Sequence, residues 1–401
     1  MKKNLRRVLA LLMLASMIAA FSLVSGASAA KEETVTINVY NWGQYVSDGT
    51  DGYIDVNKAF TEETGIQVNY ITFDSNETMY TKLKTGGASY DVIFPSDYMV
   101  ARLISEGMLL PLNYDNIPNA KLVMPAYRGM DHDPEDKYSV PYTWGGTGII
   151  YNTKYVDEAD VGGWDLLWNE KYKGKILMFD NPRDAFGVAE FRLGYDVNTS
   201  DPQLLQNCAD LLMQQKPLVQ DYVMDQIYDK MEHEEAWIGV YYAGDFIQMQ
   251  LENENLNFCY PEEGFNIFVD AMCIPTSCQN KDAAEAYINF LCRPDICGEN
   301  LEYLGYSVPI EGATDYMDPE AASNPIAYPD EKTLERGYIY LNLPAETSQL
   351  MDSLWLKVKT SGTNKTLIIG IVGLVVVIAV CAFFIIRKNK KKARRKSLYT
   401  K

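Results

Sequence analysis

The sequence predicts an α/β protein: two doubly wound α/β lobes with a ligand cleft between them, followed by a C-terminal transmembrane helix. Three observations carry that prediction. Runs of alternating apolar residues hand over repeatedly to segments of helical periodicity, the pattern of a largely parallel sheet covered by helices. The stretch 31–366 between two apolar ends has the length of two domains at about 150 residues each. The uncharged segment Leu367 to Ile386, at about 1.5 Å rise per residue, matches a hydrocarbon core about 30 Å thick.

The elements follow in order. Residues 1–30 read as a secretory signal, with Lys2, Lys3, Arg6 and Arg7 ahead of an apolar run and a small-residue site at Ala27-Ser28-Ala29. In "VTINVY", Val35, Ile37 and Val39 alternate as in a half-buried strand, and a helix through Ile54, Ala59 and Phe60 stops at Gly65. "IQVNYITF" alternates again. A polar helix around Met79 to Leu83, a short buried strand "DVIFP" and a helix with Asp97 as its N-cap complete the first pattern. After "YSVPYTWGGTGIIYN" come a helix in "WDLLWNEKYKG", the strand "KILMFD", a helix from Asp184, a helix opened by Asp201-Pro202, the strand "AWIGVYY" and the helix "DFIQMQLEN". The strand "FNIFVDAMCIP" then precedes two helices. Lobe 1 is assigned to 31–144 and 268–314, lobe 2 to 145–267 and 315–358, and a polar linker to 359–366. Behind the membrane segment 367–386, the basic tail 387–401 stays cytoplasmic under the positive-inside rule, which makes this a single-pass cell-membrane protein with its body outside.

Charge and chemistry narrow the function. The whole chain carries a net charge of −18, and both ends are purely basic, so the body is more acidic still. Such a field repels nucleic acid and favours cationic ligands. Only His132 and His233 occur in the chain, and no phosphate-binding loop, nucleophile elbow or dinucleotide fingerprint is present. "EHEE" at Glu232 to Glu235 lacks the second histidine of a zinc helix, and "DHDPED" at Asp131 to Asp136 lacks the spacing of a calcium loop. No catalytic set, metal site or cofactor site is therefore expected, and the chain reads as a binding protein and not an enzyme. The cysteines form no Cys-x-x-Cys pair and read as small apolar side chains. "WGGTG" reads as close backbone packing where the chain crosses between lobes.

An aromatic or a polar residue recurs where strands hand over to loops: Trp42 and Tyr45, Ser96 and Tyr98, Asn181 and Asp184, Tyr242, and Asp270 beside Phe268. Ligands of open α/β sheets gather at those strand ends. Rings attract a cation by about 0.5–2 kcal/mol each and cover methylenes at about 0.8 kcal/mol per CH₂, while carboxylates hold charged ends. A linear chain of methylenes between ammonium groups suits such a cage.

The segments "YNWGQYV", "SNETMYTKLKTGGASYDVIFPSDYMV", "YSVPYTWGGTGIIYN", "WDLLWNEKYKGKILM", "FVDAMCIP", "AAEAYINFLCRPDIC" and "LGYSVP" resemble, in order, the spermidine/putrescine-binding proteins of bacterial polyamine ABC transporters, which have the type II periplasmic-binding-protein fold. The resemblance implies that Trp42, Tyr45, Ser96, Tyr98, Asp270 and Tyr306 line a polyamine cleft. It also marks departures: Gly43 stands where a hydroxyl residue is common, Tyr242 and Phe268 where tryptophans stand, Asn181 and Asp184 where an aspartate and a glutamate stand, and Tyr340 where a glutamine stands. The implied protein is a monomer that captures spermidine or putrescine and hands it to permease subunits, tethered by its C-terminal helix. Two alternatives stay open: a receptor of the same fold for another small cation such as ferric iron, and a membrane-tethered sensor ectodomain.

Overall fold

The computed structural model describes residues 34–362. Its strands are β1 (Thr36–Trp42), β2 (Gln67–Phe73), β3 (Val92–Ile93), β4 (Ser139–Asn152), β5 (Ile176–Phe179), β6 (Val219–Val223), β7 (Ile238–Tyr242), β8 (Leu256–Cys259), β9 (Phe265–Cys273) and β10 (Gly337–Tyr338). They run in the order β2-β1-β3-β9-β4-β7-β5-β6, with β8 on β4 and β10 on β9. β1 is parallel to β2 and β3, and β5 is parallel to β6 and β7, so each group ends its strands on one side.

Each group has its own core. Ile37, Val39, Phe60, Val92, Tyr287 and Leu301 are buried together in lobe 1, and Ile149, Trp164, Leu177, Phe186, Leu205 and Val240 in lobe 2. At about 1.5–3 kcal/mol for each fully buried large apolar side chain, each cluster is a main source of stability for its lobe. β4 joins them: Ser139 to Gly146 pair antiparallel with β9, and Thr147 to Tyr151 pair antiparallel with β7. Glycines at this crossing leave room for rings. A Cβ on Gly148 would lie 2.3 Å from the Phe258 ring and 2.6 Å from the Cys259 carbonyl, and one on Gly145 would press on Phe268 and Tyr306.

Local signals account for much of the rest. Asp55 and Asp201 cap helices Val56–Thr64 and Pro202–Gln215 through their side chains, and Gly65 ends the first in the left-handed conformation. Two local expectations are corrected. Asp97 is not an N-cap: Ser96 holds that position, and Asp97 begins the helix Asp97–Ser105 with its carboxylate bonded to the Tyr98 and Val269 N–H groups. "WDLLWNEKYKG" forms two 3₁₀ turns, because Asn169 is extended between them and caps the second.

The membrane helix is also corrected. Among the described residues no helix is long and apolar enough to cross a membrane. The last described helix, Ala345–Thr360, buries Met351, Leu354, Trp355 and Val358 against lobe 2 and exposes Leu356. It runs through Lys359 and Thr360 because Lys216 donates to the carbonyls of Val358 (3.2 Å) and Ser361 (2.7 Å) at its end. The fold is thus the two-lobed α/β architecture without a transmembrane helix among the described residues. The segments read as signal (1–30), membrane span (367–386) and basic tail (387–401) lie outside the described residues.

Candidate functional site

The carboxyl ends of β1, β3, β5 and β7 converge on one cavity, where β9 crosses between the lobes. All eleven side chains nominated from the sequence line it: Trp42, Tyr45, Ser96, Tyr98, Asn181, Asp184, Tyr242, Phe268, Asp270, Tyr306 and Tyr340.

Lobe 1 supplies the first wall. The Trp42 indole N–H donates to the Phe94 carbonyl (2.8 Å), which fixes the ring against Phe73. Tyr45 donates its hydroxyl to Asp270 Oδ2 (2.7 Å), and its ring meets Tyr306 edge-on at 5.4 Å. Phe268 stands 6.2 Å from Tyr306 and 5.4 Å from Tyr242, so the rings form a continuous surface. Asn76 donates to Ser96 Oγ (3.0 Å), and Ser96 bridges Asp270 through the backbone.

Asp270 is 4 % exposed, and its Oδ1 has no hydrogen-bond partner. Burial pushes its carboxyl up to about 6, against the lowering effect of the Tyr45 hydroxyl. Asp184 accepts from Asn181 Nδ2 (2.6 Å) and from the Tyr242 hydroxyl (2.7 Å), and burial raises its carboxyl as well. Asn181 is committed to that aspartate, since its Oδ1 also accepts the Asp184 N–H (2.8 Å) as N-cap of helix Pro182–Leu193. The hydroxyl end of Tyr340 abuts this helix: a Cβ on Gly187 would lie 1.8 Å from its hydroxyl oxygen. The Arg183 guanidinium of the same helix lies over the Tyr340 ring, 3.9 Å from its centroid.

Several lining residues escaped the sequence reading: Glu77, Asp97, Asp225, Tyr241 and Asp245. Asp245 accepts from Tyr228 (2.7 Å) and from Tyr306 across the lobes, and burial pushes its carboxyl up to about 6. Glu77 accepts the Tyr98 hydroxyl (3.0 Å). Asp225 reaches from lobe 2 to Gly43, where a Cβ would lie 2.3 Å from its Oδ2, so the glycine leaves space for a carboxylate. All but Tyr241, which lies within β7, follow the end of a strand, the same signal that nominated Trp42 and Asp184. Asp97, tied to two backbone N–H groups, straps its helix to β9. The lining therefore carries carboxylates at positions 77, 97, 184, 225, 245 and 270 and no Lys, Arg or His. Among the described residues no three His, Cys, Asp or Glu side chains converge to hold a metal ion. The acids are spread along the cavity, most of them with a tyrosine hydroxyl.

These buried acids make the unliganded protein sensitive to pH. Burial pushes Glu77 and Asp97 up to about 7 and Asp245 and Asp270 up to about 6, all above the ordinary carboxyl range of about 4. The folded chain then binds more protons than the unfolded one, so stability rises as pH falls from about 7 towards about 5. Unliganded protein is expected to melt at a higher temperature at about pH 5 than at about pH 8; a melting temperature that falls over this window would show that the acids are not strained by burial.

Comparison with known proteins agrees with this geometry. Residues 56–329 match the bacterial extracellular solute-binding protein family. The spermidine/putrescine-binding periplasmic protein of Salmonella typhimurium is 34 % identical over 86 % of this chain and 97 % of its own length. Among solved structures, a putative spermidine/putrescine ABC transporter protein from Listeria monocytogenes superposes with a TM-score of 0.76 at 35 % identity, covering 81 % of this chain and 98 % of that one. The spermidine/putrescine substrate-binding protein of Streptococcus pneumoniae gives 0.68 at 38 % identity, with coverages of 81 % and 99 %. The Salmonella relative and the putrescine-binding relative of Escherichia coli are named as periplasmic proteins. That naming, together with the lack of a membrane-crossing helix among the described residues, replaces the single-pass membrane location and the helical tether read from the sequence.

Proposed function

The chain belongs to the bacterial extracellular solute-binding protein family, and we propose that its cleft captures a linear polyamine, spermidine or putrescine, and delivers it unchanged to the permease of an ABC transporter outside the cytoplasm. One observation carries the reading: the lining combines eight aromatic rings with carboxylates from both lobes and contains no basic side chain. Rings cover methylenes, and each buried acid offers an ammonium a charge-assisted hydrogen bond. An ammonium loses several kcal/mol of hydration on entering, which is why the acids must be inside and close.

Each part has its work. Asp270, with one oxygen held by Tyr45 and one unpartnered, receives an ammonium directly. Asp184, steadied by Asn181 and Tyr242, receives another. Trp42, Tyr45, Phe268, Tyr242 and Tyr306 flank the carbon chain between them. The residues approach from both lobes, so the ligand favours the shut arrangement by its contacts alone, and release needs only reopening.

Titration calorimetry of the purified protein with spermidine, putrescine and ferric citrate tests this. A polyamine should bind at about 1 μM or tighter, close to −8 kcal/mol, and ferric citrate should give no heat; the reverse order would transfer the site to iron. Trp42→Ala should cost about 0.5–2 kcal/mol of polyamine affinity, since it removes one ring face from several and no charge. A loss as large as that from removing Asp270 would contradict this division of roles.

A further inference from the structure

We infer that Glu77 is the acid that holds the outermost ammonium of the ligand, so that the cleft recognises a triamine better than a diamine. The inference rests on the polyamine reading above and adds to it a residue and an order of preference.

The order of the acids follows from the contacts. Asp270 is bonded to Tyr45, whose ring leads by edge contacts through Tyr306 and Phe268 to Tyr242, and Tyr242 is bonded to Asp184. Those two carboxylates and the rings between them accommodate a chain with two ammonium groups. Glu77 stands on the next stretch of wall, built by Tyr98 and Tyr340 with their rings 6.4 Å apart, and the Arg183 guanidinium lies over both rings. Its Oε1 accepts from Tyr98, while its Oε2 is buried with no hydrogen-bond partner. A buried acceptor without a donor is costly, and more so when charged. An ammonium brought by the ligand supplies the donor.

Asn181 explains why a further acid is needed. Its amide is taken up at both ends by Asp184 and carries no charge, so Asp184 alone serves this part of the cavity. Glu77 restores the second negative charge from the opposite lobe. It also borders a second, open groove lined by Asp180, Asp352 and Trp355, so Glu77 stands at the edge of the cavity.

Glu77 also lies in the first turn of helix Asn76–Thr85, where a carboxylate stabilises the helix end. That role alone would change melting temperature and leave ligand preference untouched, so preference is the quantity to read. Calorimetry of wild-type and Glu77→Gln protein with spermidine and putrescine should show spermidine affinity falling about tenfold or more and putrescine affinity within about threefold. Equal losses for both amines, or none for either in a folded variant, would overturn the inference, as would wild-type protein that prefers putrescine. If the glutamine variant fails to fold, Tyr98→Phe removes only the hydroxyl that orients Glu77: a spermidine-selective loss supports the assignment and a uniform loss overturns it. Wild-type protein that binds neither amine would instead defeat the polyamine reading itself.

Discussion

Replacing Asp270 with asparagine is expected to weaken polyamine binding by about 2–5 kcal/mol and, at the same time, to raise the melting temperature of the unliganded protein. The two effects share one cause. Asp270 is almost fully buried, keeps one oxygen without a partner, and has its carboxyl pushed up to about 6 by burial, with Asp184 and Asp245 adding repulsion. Above that pH the ionised group opposes folding by about 3 kcal/mol, since every tenfold rise in proton affinity on folding corresponds to about 1.4 kcal/mol. The penalty is complete above about pH 6 and disappears as the pH approaches about 4. Asparagine keeps the shape and can still accept the Tyr45 hydroxyl, so the variant should be more stable than wild type at about pH 8 and equal to it at about pH 4. An ammonium reverses the balance by supplying the missing donor and counter-charge, and the amide cannot replace that attraction. Calorimetric titration and scanning calorimetry read the two signs separately. Unchanged affinity would remove Asp270 from the site, and unchanged stability would show that its burial is not costly.

Gly244→Ala should lower affinity by about 5- to 150-fold without unfolding either lobe. Gly244 lies in helix Ala243–Glu252 of lobe 2, directly against the Tyr306 ring of lobe 1, and a Cβ there would lie 2.4 Å from ring carbons. The ring cannot retreat easily: its hydroxyl is held by Asp245, and its edge contacts Tyr45 and Phe268. Nearby, Gly305 approaches the Gly244 carbonyl, and its own Cβ would lie 2.7 Å from that oxygen. A methyl group wedged here costs about 1–3 kcal/mol of overpacking in the shut arrangement and nothing when the lobes part. Small-angle scattering should show wild-type protein contracting with polyamine and the variant contracting less. Wild-type affinity in the variant would mean that this contact plays no part in closure.

The sequence by itself determined what is local. Alternation in "VTINVY" placed Ile37 and Val39 inside, Gly65 and Asp201 marked helix ends, and the resemblance carried eleven side chains that the structure brings to one cavity. Strand period, caps and turn glycines depend on neighbours a few residues away, so they can be read one segment at a time. Tertiary structure decided the rest. Asp97 has the sequence position of a helix cap, yet its carboxylate straps the helix to β9, because Val269 N–H reaches it from 172 residues away. Asn181 looked like a weakened ligand and serves to cap a helix and orient Asp184. Glu77, Asp225 and Asp245 became cleft acids only when the ends of different strands met. Tyr45 and Asp270 are separated by 225 positions and touch because β4 and β9 carry the chain between lobes. Which acids share a cavity, and in what order, depends on that crossing, and no period or cap in a single segment encodes it.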